Sequence, residues 1–278
     1  MRLAILGLAL FGLVHEASAG DLDLPVLRGS NAYEMGMPAY QRWNGFYVGG
    51  QGGFSGANMS FSKAGQSLLA EMLRNTTIED EFAVSQWPHP TRGYGSGFTY
   101  GGFIGYNWQW DDAVLGLELN YNHSSFASTG SDSISRIITT SNNYQYTVTA
   151  TASGSARVTD FGTFRVRGGY VMGSFMPYGM FGLAIGRVDV AKTASVSYPP
   201  PTDVSPGGSQ PFLPGIFDSA SLVKNGVFAV GYSLGLGFDY EVIPGVFVRG
   251  EYEFVGFPTV KDFSINISTI RGGLGVKF

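Results

Sequence analysis

The chain has 278 residues, with 17 basic and 21 acidic side chains, a net charge of −4 and no cysteine. Without clustered Lys and Arg there is no electrostatic footprint for nucleic acid, and without cysteine there is no disulfide framework to hold a small secreted fold. Glycine, at 41 residues, is about twice its usual ~7% share, and no 18-residue apolar run follows the N-terminal segment, which excludes a helical membrane protein.

Residues 1–19 read as a secretory signal peptide. Arg2 supplies the positive start, Leu3 to Val14 the apolar stretch, and Ala17-Ser18-Ala19 the small-x-small site, so cleavage is expected after Ala19. Twelve apolar residues fall short of the roughly 20 that a spanning helix needs; an uncleaved anchor is the competing reading. Residues 20–43 contain Pro25 and Pro38 and hold no period, and are expected to form an N-terminal periplasmic linker ahead of a domain over 44–278. An exported chain without disulfides needs another source of stability, and closing a sheet on itself supplies one.

Large apolar residues then alternate with small or polar ones at period two in eight segments. The first, Phe46 to Phe54, follows the pattern loosely. The second sets Tyr100, Ile104, Tyr106 and Trp108 against Thr99, Gly105, Asn107 and Gln109. The third sets Leu115, Leu117, Leu119 and Tyr121 against Gly116, Glu118 and Asn120. The fourth sets Phe164, Val166 and Tyr170 against Thr163, Arg165 and Arg167. The fifth, Tyr178 to Val188, is again loose. The sixth is the clearest, with Phe228, Val230, Tyr232, Leu234, Leu236, Phe238 and Tyr240 opposite glycines, Ser233, Asp239 and Glu241. The seventh places Val246, Val248, Tyr252 and Phe254 opposite Arg249, Glu251 and Glu253. The eighth places Ile270, Leu274, Val276 and Phe278 opposite Arg271, Gly273, Gly275 and Lys277.

Connections alternate in length. Asp111-Asp112-Ala113, Met172 to Phe175 and Ile243-Pro244-Gly245 are short turns. Between them lie segments of roughly 40, 35, 38 and 10 residues, ending near Phe98, Thr159, Val227 and Ile267, as expected of an outer-membrane barrel. Phe46, Trp108, Trp110, Phe175, Tyr240 and Phe278 fall at the short-turn ends. Phe54, Phe98, Tyr121 and Phe257 fall near the long-segment ends. Both sets are expected in interfacial girdles. Alternation alone does not say which face points outward, and a soluble barrel alternates too. Four aromatic rings from the sixth segment would overfill an eight-stranded lumen, so the apolar face is expected to meet lipid.

Several stretches together resemble the RopB-type small outer-membrane proteins of Gram-negative bacteria, within the OmpA-like barrel superfamily. They are Trp43-Asn44-Gly45-Phe46-Tyr47-Val48-Gly49-Gly50, Phe161-Gly162-Thr163-Phe164-Arg165-Val166-Arg167-Gly168-Gly169-Tyr170, Pro177-Tyr178 with Gly182-Leu183-Ala184, Gly235 to Tyr240, Arg249-Gly250-Glu251-Tyr252, and Arg271 to Phe278. The resemblance implies an all-β, eight-stranded antiparallel transmembrane β-barrel in the cell outer membrane, with long extracellular loops and short periplasmic turns. It implies structural or surface-interaction roles, in some members a porin label, and no catalytic residues. The first and third loops are longer here than in typical members.

By parity the lumen is expected to hold Glu118, Arg165, Arg167, Asp239, Glu241, Arg249, Glu251, Glu253, Arg271 and Lys277. Unpaired charges there are costly, so a mutual network is expected. A narrow charged water path and catalysis by paired carboxylates are the competing readings. His123 and Ser125, two apart at the long-loop rim, are similar to the pair in lipid A deacylases, where histidine activates a serine and an acid orients the histidine. No orienting carboxylate is evident in the following strand, which favours two polar residues at headgroup level. Ser67 to Arg74 has good helix formers and reads as a short helix over the barrel mouth, expected to be a locally packed part of the surface loop, with a constriction or partner-binding element as the competing reading. Pro199 to Pro214, rich in Pro and Gly, is expected to be an exposed, mobile loop. The glycine-rich run Gly49 to Gly53 lies within a strand and so is not a phosphate loop, and the expected mature chain has only His89 and His123 and no cysteine, which give no metal spacing and no cofactor. The expected partners are outer-membrane lipid and lipopolysaccharide, the barrel-assembly machinery acting on a C-terminal strand that ends in Phe278 as its signal, and a surface ligand at the long loops; no nucleic acid is expected.

Overall fold

A computed structural model of the chain describes residues 42–207, 213–260 and 263–278. The expected signal peptide, its cleavage site and nearly all of the expected linker lie outside the described residues. Eight antiparallel strands close a ring: β1 (Gly45–Ser60), β2 (Gly93–Trp110), β3 (Ala113–Thr139), β4 (Tyr144–Tyr170), β5 (Phe175–Tyr198), β7 (Ile216–Ile243), β8 (Val246–Val260) and β9 (Phe263–Lys277). Each pairs with the next around the ring, and β1 pairs with β9 to close it. A ninth, two-residue strand, β6 (Thr202–Asp203), adds to the tip of β4. The three short turns fall where the sequence places them, and Asp111, Gly173 and Gly245 take the positive φ that such tight reversals require.

Period-two alternation resolves into two faces. Outward stand the Leu, Phe, Tyr and Ile residues: Phe228 is 76% exposed and Ile270 69%. Inward stand glycines, amides and charges, with buried apolar residues toward both ends. That is the reverse of a soluble barrel and fits a hydrocarbon surround. Eight girdle aromatics, Phe46, Trp108, Trp110, Tyr240, Phe278, Phe54, Phe98 and Tyr121, are exposed. Phe257 is corrected: it lies on the inward parity of β8 and is fully buried.

The strands are unequal. Four adjacent ones, β3, β4, β5 and β7, run 24 to 28 residues, while β1, β2, β8 and β9 run 15 to 18. The long ones rise past the others as a four-stranded wall on the long-loop side. Much of what reads in sequence as two long loops is therefore sheet. The segment between the third and fourth strands is a hairpin with only residues 140–143 at its tip. Within Pro199 to Pro214, Thr202 and Asp203 pair with Gln145 and Tyr144 instead of standing free, and 208–212 lie outside the described residues. The outer face of the wall is a carpet of hydroxyls. Ser133, Thr151, Ser195 and Ser219 form one cross-strand row, and Ser131, Ser153, Thr193 and Ser221 the next.

The wall leaves the ring at one level. The register slips between His123 and Phe126, between Val158 and Asp160, and between Val188 and Val190, so β-bulges cross all four strands side by side. Bulges bend and twist a sheet, and here they mark where the wall departs from the barrel.

The first long loop packs behind the wall. Helices α1 (Gln66–Met72) and α2 (Thr77–Phe82) and a 3₁₀ turn (Val84–Gln86) follow β1. Thr76 caps α2 by accepting from the Glu79 N–H. Leu69, Leu73, Ile78, Val84 and Trp87 bury themselves against Ile138, Val148, Ala150, Ala152, Ala194 and Val196 of the wall's inner face. The expected helix thus exists, but it lines the wall.

Candidate functional site

The inside of the barrel is layered. At the short-turn end Trp43, Tyr47, Phe103, Val114, Val171, Met176, Tyr178, Met180 and Phe247 make an apolar floor. Toward the long-loop end a second apolar plug includes Met59, Phe61, Phe126, Phe161, Val188, Val255, Phe257, Ile265 and Ile267. The lumen thus holds, beside the charges expected from parity, large apolar residues on the inward parity at both ends.

Between the layers lie charges. Glu118 on β3, Arg165 and Arg167 on β4, Asp239 on β7, Arg249, Glu251 and Glu253 on β8, and Arg271 on β9 are all buried. Arg165 binds Glu118, Glu251 at 2.9 Å and Glu253 at 3.2 Å. Arg167 reaches Asp239 at 2.5 Å and Glu118 at 3.3 Å. Arg249 holds Asp239 and Glu118, each at 2.8 Å. Arg271 holds Glu251 at 2.5 Å and Glu253 at 2.7 Å. Four guanidiniums thus face four carboxylates. Each carboxylate meets at least two arginines, a pattern the planar, five-donor arginine fork suits and lysine does not. An unbalanced ion in such a place costs several kcal/mol, so each buried charge here needs its partners. The other two expected lumen charges stand apart: Lys277 meets Glu241 at 2.8 Å at the short-turn end and donates to the Arg42 carbonyl at 2.7 Å.

Sequence parity missed the neutral partners. Tyr47 donates to Glu118 at 2.8 Å, and Tyr178 donates to Glu251 at 2.6 Å. The Arg249 guanidinium lies 3.9 Å from the Phe103 ring centre, and Arg167 the same distance from Tyr178, geometry in which cation–π attraction adds to the ion pairs. Inward glycines make the room. A Cβ at Gly237 would stand 2.8 Å from the Tyr178 hydroxyl and from Glu251, and one at Gly49 would strike the Phe103 ring. Above the charges Gln51, Asn120 and Asn122 share amide hydrogen bonds, and Ser55 links Thr99 to Thr269. Among the described residues no group of three or more His, Cys, Asp or Glu is placed to hold a metal ion. The chemistry of this interior is mutual neutralisation.

At the rim one expectation is overturned. Asp160, on the strand after His123 and in register with it, accepts from the Tyr121 hydroxyl at 2.7 Å and lies 2.8 Å from His123 Nδ1. Reading the preceding segment as loop had hidden it. Ser125 shares the outward face, but across the bulge, and no hydrogen bond joins it to His123 among the described residues. The acid and the histidine are assembled; the serine is not joined to them.

A closed antiparallel ring with an apolar exterior, aromatic girdles, short turns at one end and a neutralised interior defines a transmembrane β-barrel of the outer membrane. Residues 33–278 match the family described as outer membrane protein beta-barrel domain, and the chain belongs to that family. Its relatives include the 31 kDa outer-membrane immunogenic proteins of Brucella melitensis biotype 1 and Brucella suis biovar 1. Each is 29% identical over 257 residues, covering 85% of this chain and 84% of the relative. Among solved structures the chain is similar to Neisserial surface protein A, at 15% identity and TM-score 0.33, over 84% of this chain and 97% of that one. It is also similar to Ail, the attachment invasion locus protein of Yersinia pestis, at 12% identity and TM-score 0.29, over 84% of this chain and 99% of that one. The protein resides in the cell outer membrane.

Proposed function

We propose that the protein is a sealed barrel that presents its wall at the cell surface for structural and recognition roles, and that it performs no chemistry of its own. The layered lumen carries this reading. A charge network braced between two apolar layers leaves little free bore in an eight-stranded ring, and a plugged ring serves as an anchor. What it anchors is the hydroxyl-faced wall, stiffened from behind by α1 and α2. From Ile216 to Gly231, β7 pairs with β5 on one side and, among the described residues, with no strand on the other. Open edges of this kind accept an extended segment of a partner through main-chain hydrogen bonds, which makes this edge the natural place for a surface ligand. Phe278, whose N–H donates to the Phe46 carbonyl at the closing seam, suits a role as the terminal signal read by the assembly machinery.

The competing reading is a narrow pore for small solutes. Planar-bilayer recording of the purified, folded protein separates the two. The sealed barrel gives no reproducible unitary step, whereas a stable open-channel step overturns the proposal in favour of passive conduction.

A further inference from the structure

Beneath the row of bulges the outward face of β3, β4, β5 and β7 is apolar, and one of its cross-strand rows has a gap. That row reads Tyr121, Gly162, Ile185 and Val230. Because Gly162 has no side chain, its position becomes the floor of an outward groove of about 560 Å³. Leu119, Tyr121, Phe164, Leu183, Ile185 and Phe228 form its walls. The volume falls within the ~300–1,000 Å³ of small-molecule sites, yet the groove opens sideways into the membrane.

Its upper end is charged. The next outward row is His123, Asp160, Arg187 and Phe228, and both Asp160 and Arg187 line the groove. The Asp160 carboxylate is engaged by Tyr121 and His123. Arg187 is exposed, and among the described residues it makes no ion pair. Arg157 stands exposed one row higher, across the bulge. The groove therefore combines an apolar trough at hydrocarbon level with an unpartnered guanidinium at the long-loop end, the end facing the outer leaflet. Only an amphiphile with an anionic head complements both parts. A zwitterionic lipid fills the trough but offers Arg187 a phosphate already offset by an amine.

We propose that this groove seats one acyl chain of a phosphorylated glycolipid of the outer leaflet, with the lipid phosphate on Arg187. Arginine binds phosphate through paired N–H donors, and such charge-assisted bonds are about twice as strong as neutral ones. The site is separate from the sealed lumen, so it stands or falls independently of conduction.

Native mass spectrometry of the folded protein tests the proposal, with the protein in detergent supplied in turn with lipid A, phosphatidylglycerol and phosphatidylethanolamine. The wild type is expected to retain one lipid A at least about tenfold more than phosphatidylethanolamine, the margin of one charge-assisted contact. Arg187→Ala is expected to lose that preference. Gly162→Leu fills the trough, and since a Cβ there meets only the Asn120 carbonyl at 3.2 Å, the barrel folds while retention falls. The heat-dependent gel shift of a folded barrel verifies folding of both variants. Equal retention of lipid A and phosphatidylethanolamine by the wild type, preference for phosphatidylglycerol over lipid A, or undiminished retention by folded Gly162→Leu overturns the assignment.

Discussion

Tyr178 on β5 and Glu251 on β8 are joined inside the lumen by a 2.6 Å hydrogen bond, although β7 separates their strands in the sheet. The bond links next-but-one strands of the ring through the interior and completes a carboxylate that Arg165 and Arg271 already hold. Tyr178→Phe keeps the ring under Arg167 and removes only the hydroxyl. It is expected to destabilise the barrel by about 1.5–3 kcal/mol, the range for a hydrogen bond to a charged group. Urea unfolding in lipid vesicles measures this, and an unchanged midpoint shows the bond to be energetically idle.

Arg165 touches three of the four buried carboxylates. Arg165→Met leaves them with one fewer cation and is expected to cost about 3–5 kcal/mol. Adding Glu251→Gln leaves three guanidiniums against three carboxylates, so the double variant is expected to recover part of that loss. A double variant less stable than Arg165→Met would show that the network acts as packing and not through charge balance.

The ring was legible because its contrast is high. Leu115, Leu117 and Leu119 against Gly116 and Glu118 leave no doubt about period or face. The wall was hidden for the opposite reason. Along β4, Val148, Ala150 and Ala152 face in while Thr149, Thr151 and Ser153 face out, and these residues differ too little in size and polarity to show a period. Facing charges followed from parity alone, because a guanidinium has nowhere else to go in a spanning strand. Aromatic residues carried no such rule. Tyr47, Phe103 and Tyr178 point inward because glycines opposite them open the space, and Phe257 points inward because the plug needs volume; both depend on neighbours distant in sequence. Asp160 meets His123 only through the register of the β3–β4 hairpin, which the low contrast of that stretch of sequence does not carry.

Alternate amides of an antiparallel strand point to opposite neighbours. Along β7 from Ile216 to Gly231, those facing β5 are hydrogen-bonded, and those facing the other way meet no strand among the described residues. Residue-resolved hydrogen exchange is therefore expected to alternate between protected and fast amides over this stretch, and to become uniformly slow below Tyr232, where β8 begins to pair. Uniform protection above Tyr232 would mean that the edge is already covered, which removes it as a docking place.

Leu69 of α1 is fully buried between the loop and the wall, and truncating a core leucine to alanine costs about 2–5 kcal/mol. The loss falls on a local unit: two short helices and a 3₁₀ turn, held by one apolar cluster together with Trp87, which lies under Arg136 at 4.8 Å. Such units open without the rest of the structure. Leu69→Ala is therefore expected to expose Lys63 and Arg74, both on the surface, to trypsin at least about tenfold faster while the folded barrel keeps its gel mobility, since a tenfold change needs only about 1.4 kcal/mol. Unchanged cleavage would detach the helices from the wall's inner face. Loss of the folded band as well would mean that the loop is a structural part of the ring and not a lining laid against it.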